Sequence, residues 1–198
     1  MMSRVYSVIS LSIAALVFSG CGGPGPGDSQ TADGEKQGQA GAPGTGVVTS
    51  PDGEISVTVD AKEGLHYSVT ARGESVIERS SLALHLHGAE PLGPKMEISE
   101  VGSRSVDETW KPVWGTAREI RDKYNEITIS LEEPAEPGRK LALHVRAYDD
   151  GVAYRYFVPE QPGLESFLVT REESNFLFPG DPVVEIIAAG SQQDQVYP

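Results

Sequence analysis

One cysteine, Cys21, is the whole thiol content of this 198-residue chain. A lone thiol cannot form a disulfide within the chain, which excludes a disulfide-stapled fold. Basic residues are also scarce, since 16 Lys and Arg stand against 29 Asp and Glu and give a formal net charge of −13. Binding to nucleic acid and electrostatic docking on an anionic bilayer both need clustered positive charge, so the composition argues against both.

Long apolar runs are absent except near the N-terminus, at residues 5–18. This run follows Arg4 and is too short to span a bilayer comfortably as a permanent helix, as is typical of a signal peptide. The sequence Phe18-Ser19-Gly20-Cys21 places small residues directly before a cysteine, the pattern of a bacterial lipoprotein signal. We predict that residues 1–20 are a lipoprotein signal peptide and that Cys21 is acylated. An ordinary signal peptide that is cut elsewhere is the alternative.

The residues after Cys21 indicate a tethered, exported protein. Acyl chains contribute about 0.8 kcal/mol per buried CH₂, so two or three of them anchor a protein stably. Gly22 is not an inner-membrane retention residue, which favours lipid anchoring in the outer membrane or periplasm of a Gram-negative cell. Residues 21–46 are rich in Gly and Pro and nearly free of large apolar side chains. Such a segment cannot offset its ordering entropy and is predicted to be a flexible, disordered linker.

From Val47 onward, apolar and polar residues alternate with a period of two. Short alternating runs separated by turn signals predict an all-β, antiparallel β-sandwich, which we place at residues 47–181. Only residues 113–125 could hold a helical turn, and residues 182–198 form an atypical C-terminal tail. The apolar positions of the runs are Ile55, Val57, Val59, Leu65, Tyr67, Val69, Leu82, Leu84, Leu86, Ile127, Ile129, Leu131, Leu141, Leu143, Val145, Val152, Tyr154 and Tyr156.

Residues 146–156 read Arg-Ala-Tyr-Asp-Asp-Gly-Val-Ala-Tyr-Arg-Tyr. An alternating run on each side of Asp150-Gly151, two residues that tolerate positive φ, predicts a hairpin. Two segments upstream read Trp-Lys-Pro-Val-Trp-Gly, at 110–115, and Ile-Arg-Asp-Lys-Tyr-Asn-Glu, at 120–126.

Together these three segments resemble the N-terminal domain of glycoside hydrolase family 97, a family of α-glucosidases and α-galactosidases. The resemblance runs from about residue 48 to about residue 178. It implies a β-sandwich of the super-sandwich type, a (β/α)8 barrel that carries the catalytic residues and follows this domain, and calcium in the complete enzyme. The present 198 residues contain no such barrel, so the resemblance also implies a chain truncated before its catalytic domain.

No residue of this chain is predicted to be catalytic. Glycoside hydrolysis needs two carboxylates that flank a sugar. Glu132 and Glu133 are adjacent at a strand end and should point to opposite faces, while Asp149 and Asp150 suit a turn. The resemblance implies that most calcium ligands lie on barrel loops and that one glutamate comes from the end of this domain. Residues 182–198 lack the aromatic pattern expected there, so no metal ligand is assigned and no cofactor is expected in this chain.

Two further groups of side chains are candidates for binding. His85 and His87 share a face of one strand and could hold zinc or copper with a third ligand, although solvent-facing histidines are the simpler account. The second group consists of Trp110, Trp114, Arg121 and Tyr124. An exposed cluster of these residues could contact a sugar or, as the resemblance implies, form the interface with the barrel; burial in the sandwich is the alternative for the tryptophans.

The sequence therefore predicts a non-catalytic module of an exported family 97-like glycoside hydrolase, which acts on α-linked oligosaccharides only as a complete enzyme. A free-standing sugar-binding surface lipoprotein is the alternative, and a purely structural lipoprotein is a third. A bare face that normally meets the barrel would leave an apolar patch and favour self-association.

Overall fold

The computed structural model describes residues 44–113, 115 and 118–183. Within them the chain forms nine strands and no helix, so none of these residues belongs to a helix that could cross a membrane. The predicted all-β antiparallel sandwich is confirmed. The strands are β1 (Thr45–Thr49), β2 (Ile55–Asp60), β3 (His66–Ala71), β4 (Glu74–Leu86), β5 (Glu97–Trp110), β6 (Ile120–Glu132), β7 (Lys140–Tyr148), β8 (Gly151–Phe157) and β9 (Val169–Ser174).

The strands form two sheets in which every pairing is antiparallel. One sheet has five strands in the order β1-β2-β3-β4-β9, and the other has four in the order β5-β6-β7-β8. The four-stranded sheet is a simple meander. The five-stranded sheet is a meander of β1 to β4 that β9 completes by pairing with the second half of β4, residues 82–86.

The core lies between the two sheets and is built from the alternating residues that the sequence indicates. Val57 pairs with Val69 and Val59 with Tyr67, as expected for the predicted hairpin, and all four side chains are buried. The facing sheet contributes the inward residues of β6, β7 and β8. The members shared with the sequence prediction are Ile55, Leu65, Leu82, Leu84, Leu86, Ile127, Ile129, Leu131, Leu141, Leu143, Val145, Val152, Tyr154 and Tyr156.

The first strand begins within the segment predicted as linker. β1 starts at Thr45, two residues before the predicted boundary at Val47. A Cβ atom built on Gly46 would lie 3.0 Å from the side chain of Ile129 and 3.3 Å from that of Ile127. This glycine therefore lets β1 approach the opposite sheet closely, although by composition alone it belongs with the glycines of the linker.

The expectation of a helical turn within residues 113–125 is wrong from Ile120 onward, because these residues start β6. Its partner β5 was not predicted at all. β5 is an edge strand whose 14 residues are mostly exposed, so it lacks the alternation that marks a half-buried strand. The β5–β6 pairing runs from Glu97–Glu132 to Trp110–Ile120.

The hairpin between β7 and β8 is confirmed, with Asp149 and Asp150 as its two loop residues and Tyr148 paired with Gly151. The turn does not use the positive φ that Asp150 and Gly151 tolerate, since none of residues 149–151 has one. Positive φ is found instead at Arg72 (φ 54°) and Gly73 (φ 83°), the two residues between β3 and β4. That combination matches the type of two-residue hairpin turn in which both central residues have positive φ.

Candidate functional site

The longest strand pair extends beyond the sandwich as a two-stranded ribbon. β6 pairs with β7 only from Asn125 onward, so the backbone of residues 120–124 pairs with β5 alone. We call residues 106–110 and 120–124 the ribbon. Its end is apolar and open, with Trp110 48% exposed, Ile120 37% exposed and Val113 beyond them fully exposed.

The ribbon contains three of the four residues predicted to contact sugar or barrel, but it does not hold them as one exposed cluster. Trp110 and Tyr124 share a face, whereas Arg121 belongs to the other face, where it forms two hydrogen bonds of 2.7 and 2.8 Å with Asp107. Tyr124 is only 3% exposed, which corrects the expected exposure of this ring. Trp114 lies outside the described residues.

The outward-pointing side chains of the four-stranded sheet continue from Trp110 and Tyr124. We call this surface, which is directed away from the five-stranded sheet, the outer face. Side chains alternate along a strand, and Ile127 and Ile129 point into the core, so Glu126 and Thr128 belong to the outer face. Cross-strand pairing adds Arg104, Arg146 and Tyr148, together with His144, Arg155 and Phe157.

Glu126 is the centre of the outer face and is only 3% exposed. Arg104 Nε donates to its Oε1 at 2.7 Å, and Arg146 Nε donates to its Oε2 at 2.6 Å. The two arginines come from the strands on either side of β6, so three strands assemble one carboxylate site. Burial acts to raise the pKa of Glu126, but the hydrogen bonds from Arg104 and Arg146 outweigh it and hold the pKa below its ordinary value.

Two tyrosines pack beside this carboxylate. The Arg146 guanidinium lies 4.1 Å from the centre of the Tyr124 ring, in a cation–π arrangement, and the centres of Tyr124 and Tyr148 are 5.2 Å apart. Burial works to lower the pKa of Arg146, whereas hydrogen bonds to Tyr148 and Glu126 raise it, and the net shift is upward. These aromatic contacts shield the ion pairs from water and fix the arginine side chain.

His144 occupies the next row of the outer face. Its Nδ1 lies 3.0 Å from Thr128 Oγ1 and 3.9 Å from Glu126 Oε1. Burial and the positive charge of Arg155 lower the pKa of His144, opposed by the nearby Glu126. The ring is therefore neutral at pH 7. Arg155 is exposed and completes this row on β8, and a shallow depression extends from Gly102 across Thr128 and His144 to Arg155.

The other histidines form no metal centre in the described residues, where no group of three or more His, Cys, Asp or Glu could hold an ion. His85 lies half-buried and its Nε2 is 3.0 Å from Glu173 Oε2 and 2.8 Å from Arg171 Nη2, rather than facing solvent freely. His87 is exposed. Asp149 accepts a hydrogen bond of 2.9 Å from the Asp52 backbone N–H and so joins the hairpin turn to the loop before β2.

Sequence reasoning missed the outer-face network. In the sequence Glu126 is only the last residue of the 120–126 segment, and Arg104 lies in the strand that was not predicted. The alternation of side chains along β6 offered a signal that Glu126 faces away from the core, because Tyr124, Glu126 and Thr128 alternate with core residues. Which arginines approach Glu126 depends on the register of β5 and β7, which a single sequence does not specify.

Residues 48–197 match the family described as glycosyl-hydrolase 97 N-terminal. The chain belongs to this family. It is 28% identical over 150 residues to a retaining alpha-galactosidase from Bacteroides thetaiotaomicron, covering 76% of this chain and 21% of that protein. It is also 32% identical over 129 residues to a probable retaining alpha-galactosidase from Streptomyces bingchenggensis, covering 65% of this chain and 19% of that protein.

Solved structures of family 97 enzymes share the fold of this N-terminal domain. A family 97 enzyme from Pseudoalteromonas sp. strain K8, in complex with panose, gives a TM-score of 0.64 at 29% identity, covering 67% of this chain and 20% of that one. A beta-arabinopyranosidase gives 0.61 at 27% identity, covering 67% and 21%. The 198 residues thus span about a fifth of the proteins they match.

Proposed function

We propose that this family 97 domain is the non-catalytic N-terminal module of an exported glycoside hydrolase. The observation that carries the proposal is the family match over residues 48–197, combined with a relative of which the matched residues cover only 21%. Among the described residues, the depression on the outer face is lined by a single carboxylate, that of Glu126, which already accepts hydrogen bonds from Arg104 and Arg146. In this proposal the reaction belongs to a (β/α)8 barrel in the remainder of the enzyme.

The substrate class that we propose for the complete enzyme is an α-linked glucoside or galactoside. The named relatives are retaining alpha-galactosidases, and one structurally similar enzyme is in complex with panose. Calcium is expected for the complete enzyme, but the described residues do not fit a calcium site because no cluster of acidic ligands forms among them. No step of the proposal depends on calcium bound to this domain.

The ribbon is the surface that we propose to meet the barrel. Trp110, Val113 and Ile120 expose apolar surface at one end of the four-stranded sheet. Aromatic and aliphatic side chains of this kind form the centres of protein interfaces. When the barrel is absent, the same surface is expected to promote self-association, which sedimentation velocity of the purified chain would measure across a concentration series.

Export and lipid anchoring through Cys21 remain part of the proposal. Both depend on the signal pattern of residues 1–21, which lie outside the described residues. Metabolic labelling with a fatty-acid analogue tests them directly. Cys21→Ser is expected to abolish the label, and a labelled Cys21→Ser protein would contradict the assignment.

Two measurements test the module hypothesis. The purified chain, expressed from Gly22, is expected to release no product from an aryl α-glucoside or α-galactoside beyond a heat-inactivated control. Sequencing the gene past the codon of Pro198 is expected to reveal a frame that encodes a barrel. Turnover by the chain alone would contradict the proposal.

The half-exposed Trp110 favours one alternative, a free-standing sugar-binding lipoprotein. Sugar rings stack on exposed indoles, so this alternative predicts saturable binding of α-linked oligosaccharides that Trp110→Ala abolishes. A matched Phe157→Ala variant, which removes another half-exposed aromatic ring at a distance from the ribbon, should leave such binding intact. Absence of binding in the unaltered chain would remove the alternative.

A further inference from the structure

We propose that the depression on the outer face, between Gly102 on β5 and Arg155 on β8, binds a carboxylate group of a ligand. Nothing about this site depends on the proposed function of the module. It rests on three observations about the described residues. The arginines around the depression outnumber the carboxylates, Arg155 and His144 offer hydrogen-bond donors to a ligand, and the depression has open space at Gly102.

The positive charge around the depression exceeds the negative charge. Arg104, Arg155 and the carboxylate of Glu126 line the depression, Arg146 pairs with Glu126 from β7, and His144 is held neutral. One further acid of the described residues lies near the depression on this face: Glu100 pairs with Ser130 and is two residues, about 7 Å, from Gly102, with its side chain exposed to water. When Glu100 is counted, three arginines still stand against two carboxylates, and Asp122 on β6 lies about 20 Å from Thr128. The site is therefore a positive surface on a chain whose net charge is −13.

Arg155 carries the charge that is free to bind. Arg104 and Arg146 are already engaged with Glu126, whereas Arg155 forms no ion pair with any carboxylate of the described residues. It lies beside His144 and acts on that ring electrostatically. A guanidinium presents its donors in a planar fork that matches the two oxygens of a carboxylate.

His144 supplies a second donor. Its Nδ1 is occupied by Thr128 Oγ1, so Nε2 is the ring nitrogen that is available to a ligand. A carboxylate selects the tautomer with a proton on Nε2, and the Thr128 hydroxyl supports that tautomer by donating to Nδ1. The only carboxylate lining the depression, Glu126, already accepts from two arginines. The groups left to a ligand are therefore donors, which suit an anion and not a neutral hydroxyl-bearing ring alone.

The β5 side of the depression, three strands away from Arg155, has room for the rest of a ligand whose carboxylate lies at Arg155 and His144. A Cβ atom built on Gly102 would meet nothing within 4 Å. Glu126 shows on the same face how a carboxylate is accommodated, since two guanidinium groups hold it at 2.6 and 2.7 Å. The proposed ligand repeats this arrangement one row further along the sheet, with Arg155 and His144 as its partners.

The test is a titration of the full chain followed by two-dimensional NMR of the backbone amides. Acetate and glucuronate should each give saturable shifts centred on His144 and Arg155, and those of glucuronate should extend towards Thr128 and Gly102, while glucose, which lacks the carboxylate, should give none there. Inorganic phosphate is the competing anion. Saturable binding of phosphate with no response to either carboxylate would overturn the assignment.

Matched arginine variants locate the charge. Arg155→Gln is expected to weaken carboxylate binding by about tenfold, the usual effect of losing a charged hydrogen-bond partner. The control is Arg72→Gln, which removes the same charge from an exposed turn of the five-stranded sheet. Equal loss in both variants would mean that net charge alone drives the binding, which overturns the proposed site.

The titration of His144 gives an independent readout. The charged and hydrogen-bonding groups that face it are Arg104, Glu126, Arg146, Arg155 and Thr128. A bound carboxylate adds negative charge beside the ring and should raise its pKa, and Arg155→Gln should raise it in the free protein as well. An unchanged His144 pKa at saturating acetate would place the anion elsewhere and overturn the proposal.

Discussion

Glu126→Gln should destabilise the domain more than any other loss of a single charge on the outer face. The change leaves Arg104 and Arg146 without their shared carboxylate, 2.7 and 2.6 Å away in the unaltered protein. Breaking a fully buried ion pair costs about 3–5 kcal/mol. The Arg104 side chain is 55% exposed and can turn to water, whereas that of Arg146 is 29% exposed. We therefore expect a loss of about 2–3 kcal/mol in the free energy of unfolding.

The assay is urea unfolding at pH 7, followed by tryptophan fluorescence and by far-ultraviolet circular dichroism. Glu100→Gln is the matched control, because Glu100 is an exposed residue of β5, and surface changes of this kind usually stay within about 0.5 kcal/mol. A loss of less than about 0.5 kcal/mol for Glu126→Gln would refute the reasoning, since it would mean that water already satisfies both arginines.

The pH dependence provides a second check on the same variant. The folded pKa of Glu126 is lowered from its ordinary value of 4.5, so its charge stabilises the folded state above that pH. This contribution is lost as the pH falls through the lowered folded pKa. The difference in unfolding free energy between the unaltered chain and Glu126→Gln should therefore shrink progressively below about pH 4.5. A difference that stays constant down to pH 2 would show that the loss arises from packing and not from charge.

Three further predictions follow from burial and backbone geometry. Tyr154→Phe and Tyr156→Phe should each change the unfolding free energy by less than about 1 kcal/mol, because both hydroxyls are buried without a hydrogen-bond partner in the described residues; a larger loss in urea unfolding would reveal a missing partner. Burial raises the pKa of the Tyr154 hydroxyl to about 12. The neutral phenol therefore contributes its full stability below pH 10, and this contribution is lost as the pH rises through 12. Ultraviolet absorbance titration should detect a phenol that resists ionisation at about pH 11. Gly93→Ala should cost about 2–4 kcal/mol, since φ is 115° and the new Cβ would lie 2.6 Å from the Leu82 carbonyl oxygen; near-unaltered thermal stability would contradict this.

The fold class could be predicted because the strands bury one face. In β2 and β7 the inward residues, such as Val57 and Leu143, alternate with polar ones, and this alternation is visible in any single sequence. The turn at Asp149-Asp150 could be placed for a similar local reason, although its backbone angles could not. β5 escaped detection because an edge strand that is exposed on both faces shows no such alternation.

The sequence by itself determined the all-β class, most of the core and the three segments that indicate family 97. Only the tertiary structure decided how the outer face is assembled, because its parts come from different strands. Glu126 is an acidic residue that composition assigns to the surface, yet it is buried because the registers of β5 and β7 bring Arg104 and Arg146 against it. The exposure of Trp110 and the burial of Tyr124 likewise depend on where the pairing of β6 with β7 begins, at Asn125. That position follows from strand length and pairing and not from residue type.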